Sequence, residues 1–188
     1  MSTAELRVLQ RRGTLALAGR ETRRVLSLWT QTILPPIVTA VLFLAVFGGA
    51  LASRIHRVEG LPYLTFILPG LLVMTVAAQS FSNTSTSLFQ AKNEGYIEDV
   101  LNSPLRARQL ALAYMSGGLL RGFAAAGAVA LLAAPFAREG AQPAITAAAL
   151  LLTGVIFSTL GVITGIGGVN SYDASGMRFL RYGARIEW

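Results

Sequence analysis

Glu94-Gly95-Tyr96-Ile97-Glu98-Asp99-Val100-Leu101-Asn102-Ser103-Pro104-Leu105 is a charged, helix-capable island between two long apolar runs. On its N-terminal side Leu61 to Ala78 carries no charged residue. On its C-terminal side Leu110 to Ala137 carries one, Arg121, among many Ala, Leu and Gly. The flanking runs decide the fold class, and the island between them reads as a docking element held at a membrane face.

A helix needs about 20 apolar residues to cross roughly 30 Å of hydrocarbon at 1.5 Å per residue. Four segments qualify: Ile33 to Leu51, Leu61 to Ala78, Leu110 to Ala137 and Ala144 to Ile166. Over the whole chain 53% of residues are apolar and 13% charged, and the apolar ones cluster instead of recurring at the helical period of a soluble bundle. The expected fold is all-α, a polytopic membrane helix bundle with four transmembrane helices. The chain divides into an amphipathic N-terminal segment (1–31), a transmembrane domain (32–166) containing a polar loop at about 88–108, and a polar tail (167–188). Too polar and Arg-rich for a signal peptide, the first segment places Leu6, Leu9, Leu17, Val25, Leu28 and Trp29 among arginines. That pattern predicts a helix lying in the interface, with Trp29 at headgroup depth.

Basic residues in short loops are retained on the cytoplasmic side. Arg7, Arg11, Arg12, Arg20, Arg23 and Arg24 precede the first span, Lys92, Arg106 and Arg108 separate the second and third, and Arg178, Arg181 and Arg185 follow the fourth. Only Arg54, Arg57 and Arg138 fall on the opposite side. Both termini and the Glu94 loop are therefore expected to face the cytoplasm. This asymmetry and contact with the lipid bilayer account for the pI of about 10.8, so no nucleic-acid partner is implied.

Candidate chemistry is sparse. There is no cysteine, which removes disulfides, thiolate metal sites and cysteine nucleophiles together. The single histidine, His56, sits between Arg54 and Arg57 without a nearby carboxylate pair and makes no metal site. No glycine-rich loop ends in Gly-Lys-Ser/Thr, so the chain has no such structure for binding and hydrolysing ATP. Gly117, Gly118, Gly165, Gly167 and Gly168 read as close-packing points or a helix end.

Helix breakers mark the first two spans: Pro35, Pro36, Gly48 and Gly49, then Pro62, Pro69 and Gly70. Kinks there either shape a cavity for a transported molecule or are ordinary for membrane helices. The second span ends in Gln79, Ser80, Ser82, Asn83, Thr84, Ser85, Thr86 and Ser87. These groups either border a hydrophilic pathway or are solvated where the helix emerges. Arg121, the one ionisable residue well inside a span, costs roughly 2.5 to 3.5 kcal/mol to insert. With the hydrocarbon beginning near Ser116 it lies about 8 Å inside the boundary and is expected to snorkel to the headgroups; the alternative is a substrate or inter-helix contact within the membrane. No Asp or Glu falls within any span, which leaves a proton-coupled secondary transporter without its carrier.

Several of these segments together resemble the permease subunits of type 2 ABC exporters. They are the Arg-rich start, Trp29-Thr30-Gln31-Thr32-Ile33-Leu34-Pro35-Pro36, Phe47-Gly48-Gly49 with Ser53-Arg54-Ile55, Ile67-Leu68-Pro69-Gly70, and the loop from Glu98 to Leu105. The resemblance runs from about Glu21 to Ile166. Its most specific part is an acid followed by a Val/Leu-Leu pair and Ser/Ala-Pro, here within Asp99-Val100-Leu101-Asn102-Ser103-Pro104. In that family the segment is the coupling helix that docks into a groove of a separate ATPase. The resemblance therefore implies a contact surface made by Glu94, Gly95, Tyr96, Ile97, Glu98, Asp99 and Leu101. It further implies an ABC ATPase subunit as partner, ATP and magnesium bound there and no cofactor in this chain, a homodimer or paired permease, and an inner-membrane location. Such permeases usually carry six spans. The residues after Ile166, through Met177-Arg178-Phe179-Leu180-Arg181, are too charged for a fifth, as a truncation, frameshift or internal deletion would leave them. A non-transporting remnant or scaffold and a small secondary transporter are the alternative readings.

Overall fold

The computed structural model describes residues 3–51, 57–58, 61–95, 97–136 and 143–183. Helix α1 (Thr3–Ser27) leads through Leu28 into α2 (Trp29–Phe43), which continues as a π-helical stretch, Leu44–Leu51. Strands β1 (Arg57–Val58) and β2 (Leu61–Pro62) pair antiparallel in a minimal ladder, Val58 opposite Leu61. Then come α3 (Tyr63–Asn93), α4 (Ile97–Leu101), α5 (Ala107–Ala133) with a short 3₁₀ turn (Ala134–Phe136), and α6 (Pro143–Gly183). The described residues form an all-α bundle apart from that one ladder. His56 and Arg54, singled out above, lie outside the described residues, as do Arg138 and Tyr96.

Four helical stretches are long and apolar enough to cross a membrane: Trp29–Phe47, Thr65–Asn93, Ala107–Ala133 and Ala144–Ile166. The second differs most from expectation. The apolar run stops at Ala78 but the helix does not, and α3 continues through the polar stretch for 15 further residues to Asn93. The helical backbone of α6 likewise continues past Gly167 and Gly168 to Gly183, so those glycines do not end it.

Packing is inverted relative to a water-soluble protein. Leu131, Ile145, Met74, Leu42 and Leu152 are more than 60% exposed, while Ser80, Thr84, Ser87 and Ser158 are completely buried. Lipid tails are as apolar as leucine, so an outward Leu or Ile loses nothing there. Polar and small groups are better used between helices. Helix α3 packs along both α5 and α6, and α1 and α2 lie in succession on another flank of α5.

One apolar cluster joins Leu17, Leu88, Ala91, Ala113, Tyr114 and Val162 at the Arg-rich end of the bundle; another joins Ala40, Leu71 and Val129 further in. The first cluster alters the reading of α1. Leu17, Glu21 and Val25, spaced four apart and thus on one face, are buried against the bundle. Leu9, Leu28 and Trp29 stay exposed. This helix is docked on protein along one face instead of lying free in the interface.

Candidate functional site

The turn after α3 is built by Gly95, whose φ of +78° is in the left-handed region that a side chain disfavours. Its N–H bonds the Lys92 carbonyl at 3.1 Å and reverses the chain into α4. At the other end Ser103 closes the helix: its backbone N–H and its hydroxyl both donate to the Val100 carbonyl. Pro104 then prevents helical continuation through Ser103.

Ile97 and Val100, three apart on α4, turn inward onto the cluster around Leu17 and Tyr114. Glu94, Gly95 and Asp99 are exposed. Glu98 and Leu101 belong to the α4 backbone, and Tyr96 is outside the described residues. The expected contact residues thus divide. Glu94, Gly95 and Asp99 form an outward surface, whereas Ile97 is half-buried and anchors the helix from within.

Helix α1 grips the same segment from the side. Gln10 Nε2 donates to the Pro104 carbonyl at 3.0 Å, and a Cβ on Gly13 would lie 3.1 Å from Leu105 Cδ2. Between α1 and α4 lies a cleft of about 570 Å³, lined mainly by apolar groups such as Leu9, Ala16, Val100 and Leu105, with Arg12 and Asp99 also in its wall. The loop is consequently not a free solvated connector. It is held by apolar packing from within and by α1 alongside.

Residue-type reasoning missed Glu21. Its carboxylate is buried among α1, α3 and α5, accepts a hydrogen bond from the Ser87 hydroxyl, and lies 3.4 Å from the Arg20 guanidinium. Gly117 leaves room for it, since a Cβ there would approach Glu21 Cβ to 3.0 Å. The available signal was the four-residue spacing Leu17, Glu21, Val25, in which an acid holds the central place of a buried stripe.

The polar end of α3 neither meets solvent nor borders an open pathway at its inward positions. Ser80, Asn83 and Thr84 face glycines of α5 and α6, and Ser87 faces Glu21 of α1. A Cβ on Gly118 would fall 2.1 Å from Thr84 Oγ1 and 2.8 Å from the Ser80 carbonyl oxygen; one on Gly122 would fall 2.2 Å from Ser80 Oγ. From α6, a Cβ on Gly154, Gly161 or Gly165 would lie 2.8–2.9 Å from its nearest neighbour. These glycines, read from sequence as close-packing points at 117, 118 and 165, pack there with small-xxx-small spacing.

Arg121 ties three helices. Its Nε donates to Gln79 Oε1 at 3.0 Å, and its terminal nitrogen donates to the Gln31 carbonyl at 3.3 Å. That carbonyl has lost its usual partner, because the residue four positions on is Pro35, which has no N–H. The guanidinium supplies the donor that the proline lacks. The structure thus places Arg121 in a contact joining α5 to α3 and to the start of α2.

This geometry defines a polytopic membrane protein presenting a short buttressed helix at its basic end. The family model for the ABC-2 type transporter matches residues 12–180, and the chain belongs to that family. It is 33% identical over 151 residues to the inner membrane transport permease YadH of Escherichia coli strain K12, an alignment covering 79% of this chain and 58% of that protein. The YadH proteins of Escherichia coli O6:H1 and Shigella flexneri match to the same extent. The chain therefore spans less than two thirds of the length of these relatives. No solved structure matches.

Proposed function

We propose that the chain acts as the membrane permease subunit of an ATP-driven exporter, receiving the work of ATP hydrolysis from a separate ABC ATPase through α4. The observation that carries this reading is the construction of the α4 segment. Glu94 and Asp99 point outward while Ile97 and Val100 lock the helix onto the bundle. A force applied to the outward face is thereby delivered to α1, α3 and α5 and not lost in a loop. Family membership and the inner-membrane relatives support it.

In this reading the basic end, with both termini and α4, faces the cytoplasm, where twelve of the sixteen Lys and Arg residues gather. The chain itself performs no hydrolysis. ATP and magnesium belong to the partner, and two permease chains form the pathway between them. Closure of two ATPase subunits pushes on two α4 segments and rocks the paired membrane domains.

The test is affinity purification of the tagged chain from membranes in mild detergent, with identification of co-purifying proteins and an ATPase assay. Recovery of a stoichiometric ATPase is expected. Recovery of the intact chain alone would contradict the proposal.

A further inference from the structure

The arginines of α1 have different surroundings. Arg24 donates to Gln90 Oε1 at 2.8 Å, and Arg20 approaches Glu21. Arg7 and Arg11, one helical turn apart, instead line a second cleft of about 650 Å³ together with Arg106 and Gln109 at the start of α5; Val8 and Gln10 complete the lining. Three guanidinium groups share this concavity with no carboxylate in its wall. Among the described residues none of the three pairs with an acid. Like charges gathered in this way repel one another unless an anion sits among them. Guanidinium forks match the oxygens of a phosphate in geometry as well as charge. Gln109 adds a neutral donor, because its carbonyl oxygen is occupied by the Arg106 N–H and its NH₂ group remains available.

Depth indicates where such a phosphate comes from. Helix α5 has 27 residues, about 40 Å, and a bilayer with its headgroup layers is about 40–45 Å thick. The apolar run Leu110 to Ala137 begins four residues beyond Arg106, about 6 Å along the helix, which brings Arg106 within reach of the headgroup layer at the basic end. Val8, exposed, lies beside the arginines and offers apolar surface to an acyl chain. A zwitterionic headgroup would bring its own cation towards the three guanidiniums, so a net anionic lipid is favoured. We propose that the cleft between α1 and the start of α5 binds the phosphate of an anionic phospholipid through Arg7, Arg11 and Arg106. The lipid would then fasten α1 to α5 beside the point where Gln10 holds Pro104.

The test uses the full chain in detergent, titrated with phosphatidylglycerol or with phosphatidylcholine of the same acyl chains, and native mass spectrometry to count retained lipid. Preferential retention of one phosphatidylglycerol is expected. The triple substitution Arg7→Gln, Arg11→Gln, Arg106→Gln should lower that retention by about tenfold or more. Arg23→Gln with Arg108→Gln, which removes charge outside the cleft, should leave it unchanged. Inorganic phosphate added to the wild-type chain should not displace the lipid; displacement by millimolar phosphate would overturn the lipid assignment. Equal retention in the triple variant, or equal loss in the control pair, would overturn the site. A thermal melt of each variant without lipid separates lost binding from lost folding, and the single Arg106→Gln variant carries the test if the triple variant does not fold.

Discussion

Where α3, α5 and α6 meet, glycines and small hydroxyl residues are pressed together, and the Ser80, Thr84 and Ser158 hydroxyls are buried without hydrogen-bond partners among the described residues. Where α2 meets α3 and α5, a guanidinium reaches across to an amide and a backbone carbonyl. The first contact works by shape and the second by directed bonds. A seam made by shape tolerates the loss of a hydroxyl but not the gain of a methyl group, and a seam made by bonds behaves in the opposite way.

The largest expected effect comes from filling the shape-made seam. Gly118→Val would place carbon against the Ser80 carbonyl, a backbone atom that cannot swing aside, as well as against Thr84. Overpacking of this kind costs about 1–3 kcal/mol or more. Loss of monodisperse protein on size exclusion in detergent should report it. Gly127→Val on the same helix meets nothing within 4 Å and should behave like wild type. Equal behaviour of the two variants would remove the distinction between the seams.

Next is Arg121→Leu, which leaves Gln79 and the Gln31 carbonyl without their donor. We expect a loss of about 1–3 kcal/mol in reversible unfolding from mixed micelles. A tolerated substitution would return Arg121 to the headgroups. Smaller still is the recovery expected when Pro35→Ala is added to Arg121→Leu. The new N–H can bond the Gln31 carbonyl within the helix, so the double variant should regain about 0.5–1.5 kcal/mol relative to the additive sum. A double-mutant cycle with no coupling would contradict the proline–arginine pairing. Ser158→Ala should have the smallest effect, within about 0.5 kcal/mol by the same unfolding assay, because an unpaired buried hydroxyl contributes no bond to lose.

The spans were legible because twenty apolar residues in a row have few other uses. Ala144 to Ile166 matched at both ends. The burial of the polar end of α3 was not legible: from Gln79 it reads as a helix bordering a hydrophilic pathway or emerging into water when the glycines of α5 and α6 that receive Ser80, Asn83 and Thr84 are far away in sequence. The same limit applies to Arg121. Snorkelling is a local solution available to any long side chain near a boundary, whereas its partners here are on two other helices, and one of them, the Gln31 carbonyl, is left open by Pro35.

In the α4 segment the helix ends at Leu101, just before Ser103-Pro104, and the turn falls at Gly95, which the sequence offered only as a contact residue. Ile97 was ambiguous: its apolar character suited a partner's pocket as well as the core, and in the structure it is half-buried against the cluster around Leu17 and Tyr114. Glu21 was passed over because it precedes the first span, and only the approach of α1 to Gly117 buries it.

The central claim is that the outward face of α4 meets an ATPase. Since the chain has no cysteine, Asp99→Cys creates a unique attachment point for a photo-crosslinker, and Ile145→Cys creates another at the exposed start of α6, the end of the bundle away from α4. In native membranes Asp99→Cys should form a covalent adduct with an ABC ATPase and Ile145→Cys should not. No adduct from Asp99→Cys, or an equal adduct from both positions, would contradict the account.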